Sequence, residues 1–187
     1  EGFARLQMLR GDGHIGVLER QQLQVLEVWY VIPILEMFSM HGFSDDPSWI
    51  AKRLVPRISV DEVTSALDLL ERLGLIRRAS DGALRRTTHK LATAGKVTVG
   101  AVRQYHANML DTAKEALCQL DADQRNVTSL TIGLSPVQYE KATKMIEEFR
   151  FSLLNLFEEA GTVSTPDDQI HEMVVALFPV TRHPSEA

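Results

Sequence analysis

SVDEVTSALDLLERLGLIRRASDGALRRTT, Ser59 to Thr88, is the stretch on which the reading of this chain turns. Ser59 with Glu62 three residues on is the pattern of a capping box, in which each side chain satisfies a backbone N–H that the first helical turn leaves unpaired. Val63, Ala66, Leu67, Leu70 and Leu73 then recur at helical intervals and mark one apolar face. Gly74 stops the helix, since a residue there readily takes the left-handed conformation that ends one. Leu75 to Arg78 and Ala83 to Thr87 read as two short strands around Ser80-Asp81-Gly82, where Asp-Gly signals a two-residue hairpin turn.

Upstream, SWIAKRL (Ser48 to Leu54) places Trp49, Ile50 and Leu54 for burial, and Pro56 biases Val55 out of helical geometry. The polar run Ser44-Asp45-Asp46-Pro47 caps this short helix. Before it, Val25, Val28, Trp29, Ile32, Leu35 and Phe38 predict a buried helix between Leu23 and His41, with Pro33 kinking it or marking a first turn. Helix, helix, hairpin, with a helix packed behind, is the order of a winged helix-turn-helix.

Downstream, Val102, Tyr105, His106, Met109, Ala113, Ala116, Leu117 and Leu120 predict a long amphipathic helix. NVTSLTIGL (Asn126 to Leu134) predicts a strand from its β-branched residues. Ser135-Pro136-Val137-Gln138 starts another helix, with proline at the first position and glutamine closing a box. Ala142, Ile146, Phe149, Leu153, Leu156 and Phe157 give that helix its apolar face, and Gly161 ends it. Ile170 to Val180 predicts a final strand. The expected fold is therefore mainly α with a small β component (α+β): a winged helix-turn-helix over 25–93, then a helix-strand-helix-strand domain over 94–187 for dimerisation or effector sensing. Residues 1–24 read as a linker or the remnant of an upstream domain.

The 187 residues carry a net charge of −5, with 44% apolar and 24% charged side chains, a composition that folds. That balance argues against a uniformly basic nucleic-acid binder, but its distribution does not. Ser48 to Lys90 is plus four between flanks of minus four and minus five, which marks where an anionic partner would dock. The single cysteine, Cys118, excludes an internal disulfide and reads as a small buried hydrophobe in a reducing compartment. No apolar run is long enough to span a bilayer and no leader pattern opens the sequence, so a soluble, cytoplasmic protein is expected. His41, His89, His171 and His183 show no metal-ligand spacing with each other or with Cys118. No phosphate loop, nucleophile elbow or dinucleotide fingerprint occurs, so neither an enzyme nor a cofactor is expected.

The segment PSWIAKRLVPRISVDEVTSALDLLERLGLIRRASDGALRRTTHKLAT (Pro47 to Thr93), with Trp29-Tyr30, AVRQYHANMLDTAKEAL (Ala101 to Leu117), NVTSLTIGLS and the closing ALFPVTR, resembles a family of bacterial proteins classed as transcriptional regulators. Its members carry a winged-helix segment and a C-terminal region of unknown function, typically preceded by a repressor-type helix-turn-helix domain that nothing in Glu1 to Gln24 matches. The resemblance implies regulation of transcription and brings no catalytic residues. The residues themselves support DNA contact by a basic wing: Arg77, Arg78, Arg85 and Arg86 reach phosphates, supported by Lys52, Arg53 and Arg57, with Thr64 and Ser65 nearest the bases. The outer face of the second helix is otherwise acidic (Asp61, Glu62, Asp68, Glu71), which suits cytosine contacts or a protein partner. The alternative is a dimerisation, effector-sensing or protein-interaction module whose DNA-binding domain lies upstream. A homodimer is expected in either case, with Tyr105 and His106 as a candidate pocket for a small-molecule or protein effector, or else a packed core pair.

Overall fold

The computed structural model describes residues 22–87, 99–159 and 165–182. Within them the protein is mainly helical with one small antiparallel sheet. A 3-10 turn, Gln22–Leu26, precedes α1 (Val31–Met37), α2 (Pro47–Arg53), α3 (Val60–Arg72), β1 (Ile76–Arg78), β2 (Leu84–Arg86), α4 (Val99–Gln119) and α5 (Pro136–Glu159). The described residues fall into two compact units. One holds those up to Val127 and those ending at His171; the other holds Thr128 to the end of α5 and those from Glu172 onward.

Each boundary of the first unit has a local cause. The helix expected across Leu23 to His41 is interrupted between Leu26 and Val31. Pro33 has no N–H for the Trp29 carbonyl and its ring crowds that turn, so proline is tolerated only within the first turn of a helix starting at Val31. Asp46 caps α2 by accepting from the Ser48 N–H at 3.1 Å, with Pro47 at the first position. The capping box of α3 forms as expected: the Glu62 N–H donates to Ser59 Oγ at 3.2 Å, and the Ser59 N–H donates to Glu62 Oε2 at 2.7 Å. Gly74 follows α3 at φ +69°, and the Leu75 N–H reaches back to the Leu70 carbonyl at 2.9 Å, turning the chain into β1.

The hairpin differs from the two-residue expectation. The Ala79 N–H pairs with the Ala83 carbonyl at 2.9 Å, which leaves Ser80, Asp81 and Gly82 as a three-residue loop. Gly82 sits at φ +84°, the left-handed position with which a three-residue hairpin rejoins its second strand. The Asp81 carboxylate accepts from the Ala83 N–H at 3.1 Å and fixes the bend.

The core gathers the expected stripe of α3, Val63, Ala66, Leu67 and Leu70, with Ile50, Ala51 and Leu54 of the α2 segment, the apolar side chains of α1, and Leu75, Ile76 and Leu84 of the hairpin. Leu73 and Trp49 pack against it half-buried. α4 joins through Val102, Tyr105 and Met109, and Asn108 Nδ2 donates to the Glu27 carbonyl at 2.8 Å. The contacts thus group α4 with the helices before it. Beyond Met109 its apolar face is largely open, and Cys118, expected inside, is exposed, since among the described residues no element of its unit covers the last turns.

In the second unit α5 starts as expected, with Ser135 and Gln138 exchanging cap hydrogen bonds at 2.9 and 3.3 Å. The two strands expected around it are absent. Asn126 to Leu134 and Ile170 to Val180 are described, yet neither joins a ladder, and the sheet contains β1 and β2 alone. β-branched composition favours a pleated surface only where a partner strand completes it, and among the described residues none does. The linker or domain remnant expected over 1–24, up to residue 21, and the stop at Gly161 lie outside the described residues.

Candidate nucleic-acid interface

β1 and β2 pair in the register Ile76↔Arg86, Arg77↔Arg85 and Arg78↔Leu84. Side chains alternate along a strand, and directly opposed residues share a face. Ile76, Arg78, Leu84 and Arg86 therefore lie on the side of the hairpin that meets the core, as the burial of Ile76 and Leu84 requires. Arg77 and Arg85 lie together on the outer side.

The inner arginines are engaged. Arg86 forms a bidentate pair with Glu36 of α1, Nη1 to Oε2 at 3.0 Å and Nη2 to Oε1 at 2.9 Å, and is half-buried there. Planar two-point pairing of this kind is strong and directional. Arg78 Nη1 donates to the Gly82 carbonyl at 2.9 Å, closing the loop, and its other nitrogen lies 3.9 Å from Glu71. Arg86 thus ties the hairpin to α1, while Arg78, itself exposed, braces the loop of the hairpin.

The outer arginines are placed for solvent. Arg85 pairs with Asp81 on the loop, and Arg77 has no hydrogen-bond or ion-pair partner among the described residues. Two like charges directly opposite one another repel, and Asp81 relieves only one of them. The Ala83 N–H, chiefly, and then the Arg85 guanidinium hold the Asp81 carboxyl below the usual carboxylate range, so it stays ionised in weak acid. Lys52, Arg53 and Arg57 are also exposed, and the Arg53 guanidinium stacks over the Trp49 ring at 4.2 Å from its centroid, which fixes its direction.

The outer surface of α3 is polar and largely acidic. Thr64 and Ser65 are exposed, with the Thr64 hydroxyl donating to the Val60 carbonyl at 2.9 Å. Asp61 and Asp68 are exposed. Glu62 is committed to the cap, where the Ser59 N–H and hydroxyl hold its carboxyl below the usual range. A shallow open cleft of about 330 Å³ runs between α3 and the hairpin, with Asp45, Thr64, Asp68, Glu71 and Arg78 on its walls. Asp45 accepts from the Leu84 N–H at 2.7 Å, tying the start of β2 to the turn before α2. A second cleft lies between α3 and the 3-10 turn, beside Ser65, Asp68 and Arg72.

Neither cleft includes Tyr105 or His106. Tyr105 is half-buried against the core and His106 is exposed, their rings edge to face at 5.7 Å. The hairpin contact residues are thus brought together in pairs rather than as one cluster of four. The split was legible in the sequence: in Ile76-Arg77-Arg78 and Leu84-Arg85-Arg86 the strand period puts one arginine of each pair on the apolar residue's face. Neither the pairing of Glu36 with Arg86 nor that of Asp81 with Arg85 is among the expectations above. Asp81 sat in view as a turn residue, whereas Glu36, fifty residues from Arg86, carries no local signal.

The chain belongs to a family described as a domain of unknown function (DUF4423), which it matches over residues 10–180. No curated protein and no solved structure matches it. Among the described residues no helix is long and apolar enough to cross a membrane, and no three His, Cys, Asp or Glu side chains group as a metal site.

Proposed function

We propose that this protein is a DNA-binding transcriptional regulator, in which α2, α3 and the β1–β2 hairpin act as a winged helix and the outer arginines of the wing, Arg77 and Arg85, contact phosphates. The opposed Arg77–Arg85 pair carries the reading. Two guanidinium groups held side by side on a rigid hairpin, one of them unneutralised, form a two-point match for a polyanionic backbone. Exposed Lys52, Arg53 and Arg57 extend the positive surface of the same unit. Arg78 and Arg86 position the wing and are not counted among the phosphate contacts. Thr64 and Ser65 are the side chains of α3 best suited to base edges, and Asp61 and Asp68 suit the cytosine amino group.

Binding of fluorescent duplex DNA across a salt series tests this. Each phosphate contact contributes about 0.9 to the slope of log affinity against log salt. Arg77→Ala and Arg85→Ala should each weaken binding and reduce that slope by about 1, equally on unrelated sequences. No binding by the folded full chain at low salt would overturn the proposal.

The acidic outer face of α3 favours a second reading, in which the helix contacts a basic protein partner while the chain serves a regulator whose DNA-binding domain lies elsewhere. Under that reading Asp61→Asn with Asp68→Asn weakens partner capture, and neutralising Arg77 and Arg85 leaves it unchanged.

A further inference from the structure

Among the described residues the second unit contributes none to the buried core, although it contains the longest described helix. Long helices draw most of their stability from packing an apolar face, and α5 has such a face. Tyr139, Ala142, Ile146, Phe149, Leu153 and Leu156 recur at alternating intervals of three and four, the spacing of a seam that packs on another helix. Tyr139, Phe149 and Leu156 along it are 47%, 53% and 59% exposed, and the other three are half-buried. The flanking segments are open as well, with Leu130 and Val180 at 79% and 78%. Among the described residues neither flanking segment makes a backbone–backbone hydrogen bond, so the N–H and C=O groups of each are open to a partner.

We propose that this surface is covered by a second copy of the chain, with the two α5 seams packed on each other across a two-fold axis and the flanking extended segments paired edge to edge. Area supports a whole copy as the occupant. At roughly 100 Å² each, the ten large apolar side chains this unit exposes apart from Val137 and Phe151, which lie on the far side of α5, offer on the order of 1,000 Å², which meets the about 800 Å² per partner of a standard stable interface. Self-association also suits the pattern: a seam of this spacing presents knobs and holes to an identical seam, and a two-fold interface uses the same patch twice. The backbone edges need an extended partner, which the same segments of a second copy supply. This pairing does not depend on the DNA-binding reading.

Sedimentation equilibrium of the full chain at about ten micromolar should give twice the 21.0 kDa chain mass. Phe149→Glu with Leu156→Glu should weaken self-association on the order of 100-fold or more, as loss of two central anchors does. Both side chains are exposed in the single chain, so tryptophan fluorescence of the first unit should melt unchanged. Lys144→Glu, off the seam, should leave the mass doubled. Hydrogen exchange should show amides of residues 128–134 protected in the dimer and released in the double variant. A monomeric wild-type chain, with those amides protected by its own residues or open, overturns the proposal, as does a dimer that survives both glutamates. A mass that changes while DNA binding does not, or the reverse, separates this proposal from the function above.

Discussion

Two hydrogen bonds of 2.9 and 3.0 Å hold the Arg86 guanidinium on the Glu36 carboxylate, while Arg77, on the neighbouring strand and opposite face, has no such anchor among the described residues. Removing a half-buried, charge-assisted partner leaves the other charge unpaired, so Arg86→Ala should lower unfolding free energy by about 2 kcal/mol. Arg77→Ala should leave stability within about 0.5 kcal/mol of wild type, as for exposed positions generally. Urea titrations of the two variants check the contrast. At the start of α3, Ser59→Ala removes the cap oxygen and should cost about 1 kcal/mol. It also carries a pH signature. The backbone N–H and then the hydroxyl of Ser59 hold the Glu62 carboxyl below its ordinary value; Ser59→Ala keeps the N–H and removes the hydroxyl, so the hydroxyl's share, present above the usual carboxylate range and lost as pH falls through the folded value, is what separates the two proteins. The gap between wild type and Ser59→Ala, followed by thermal melts from neutral pH down through about pH 4 and below, should therefore narrow on the acid side.

At the scale of elements, what was legible in the sequence was whatever a local rule controls. The α3 stripe, its capping box, the Gly74 stop and the hairpin position are all set by neighbours within a few residues, and the structure has them where the spacing predicts. The loop came out one residue longer because Ala83 is tied by both Ala79 and the Asp81 side chain, which the Asp-Gly pair alone does not disclose. β-branched composition predicts strands at Asn126 to Leu134 and Ile170 to Val180, but a strand exists only as half of a pair. Likewise the strand period separates Arg78 and Arg86, on the face of Ile76 and Leu84, from Arg77 and Arg85, and the register adds that the outer two stand directly opposite one another. The junction of α3 with the hairpin concentrates these local determinants and should be sensitive in two separable ways. Leu70→Ala opens a cavity in the centre of the core and should cost about 2–5 kcal/mol. Gly74→Ala, at φ +69° with open space around its Cβ position, should cost only about 1–2 kcal/mol, the backbone penalty alone. Thermal or urea unfolding of the two variants should rank them in that order.

At the scale of the molecule, the division of buried from exposed apolar surface predicts how the chain melts. Both tryptophans, Trp29 and Trp49, pack on or beside the core of the first unit, so fluorescence reports that unit alone. Helical circular dichroism also includes α5, whose exposed seam depends on association if a second copy covers it. A structure held by association is stabilised by mass action and its midpoint rises with protein concentration, whereas a self-contained core does not respond. Between about one and one hundred micromolar, a component of the circular dichroism transition should therefore move to higher temperature while the fluorescence transition stays fixed, a departure from two-state behaviour that the non-coincidence of probes makes visible. In Phe149→Glu with Leu156→Glu the moving component should vanish. A single transition, coincident by both probes and independent of concentration, would mean that α5 melts with the first unit and that its apolar seam is satisfied within one chain.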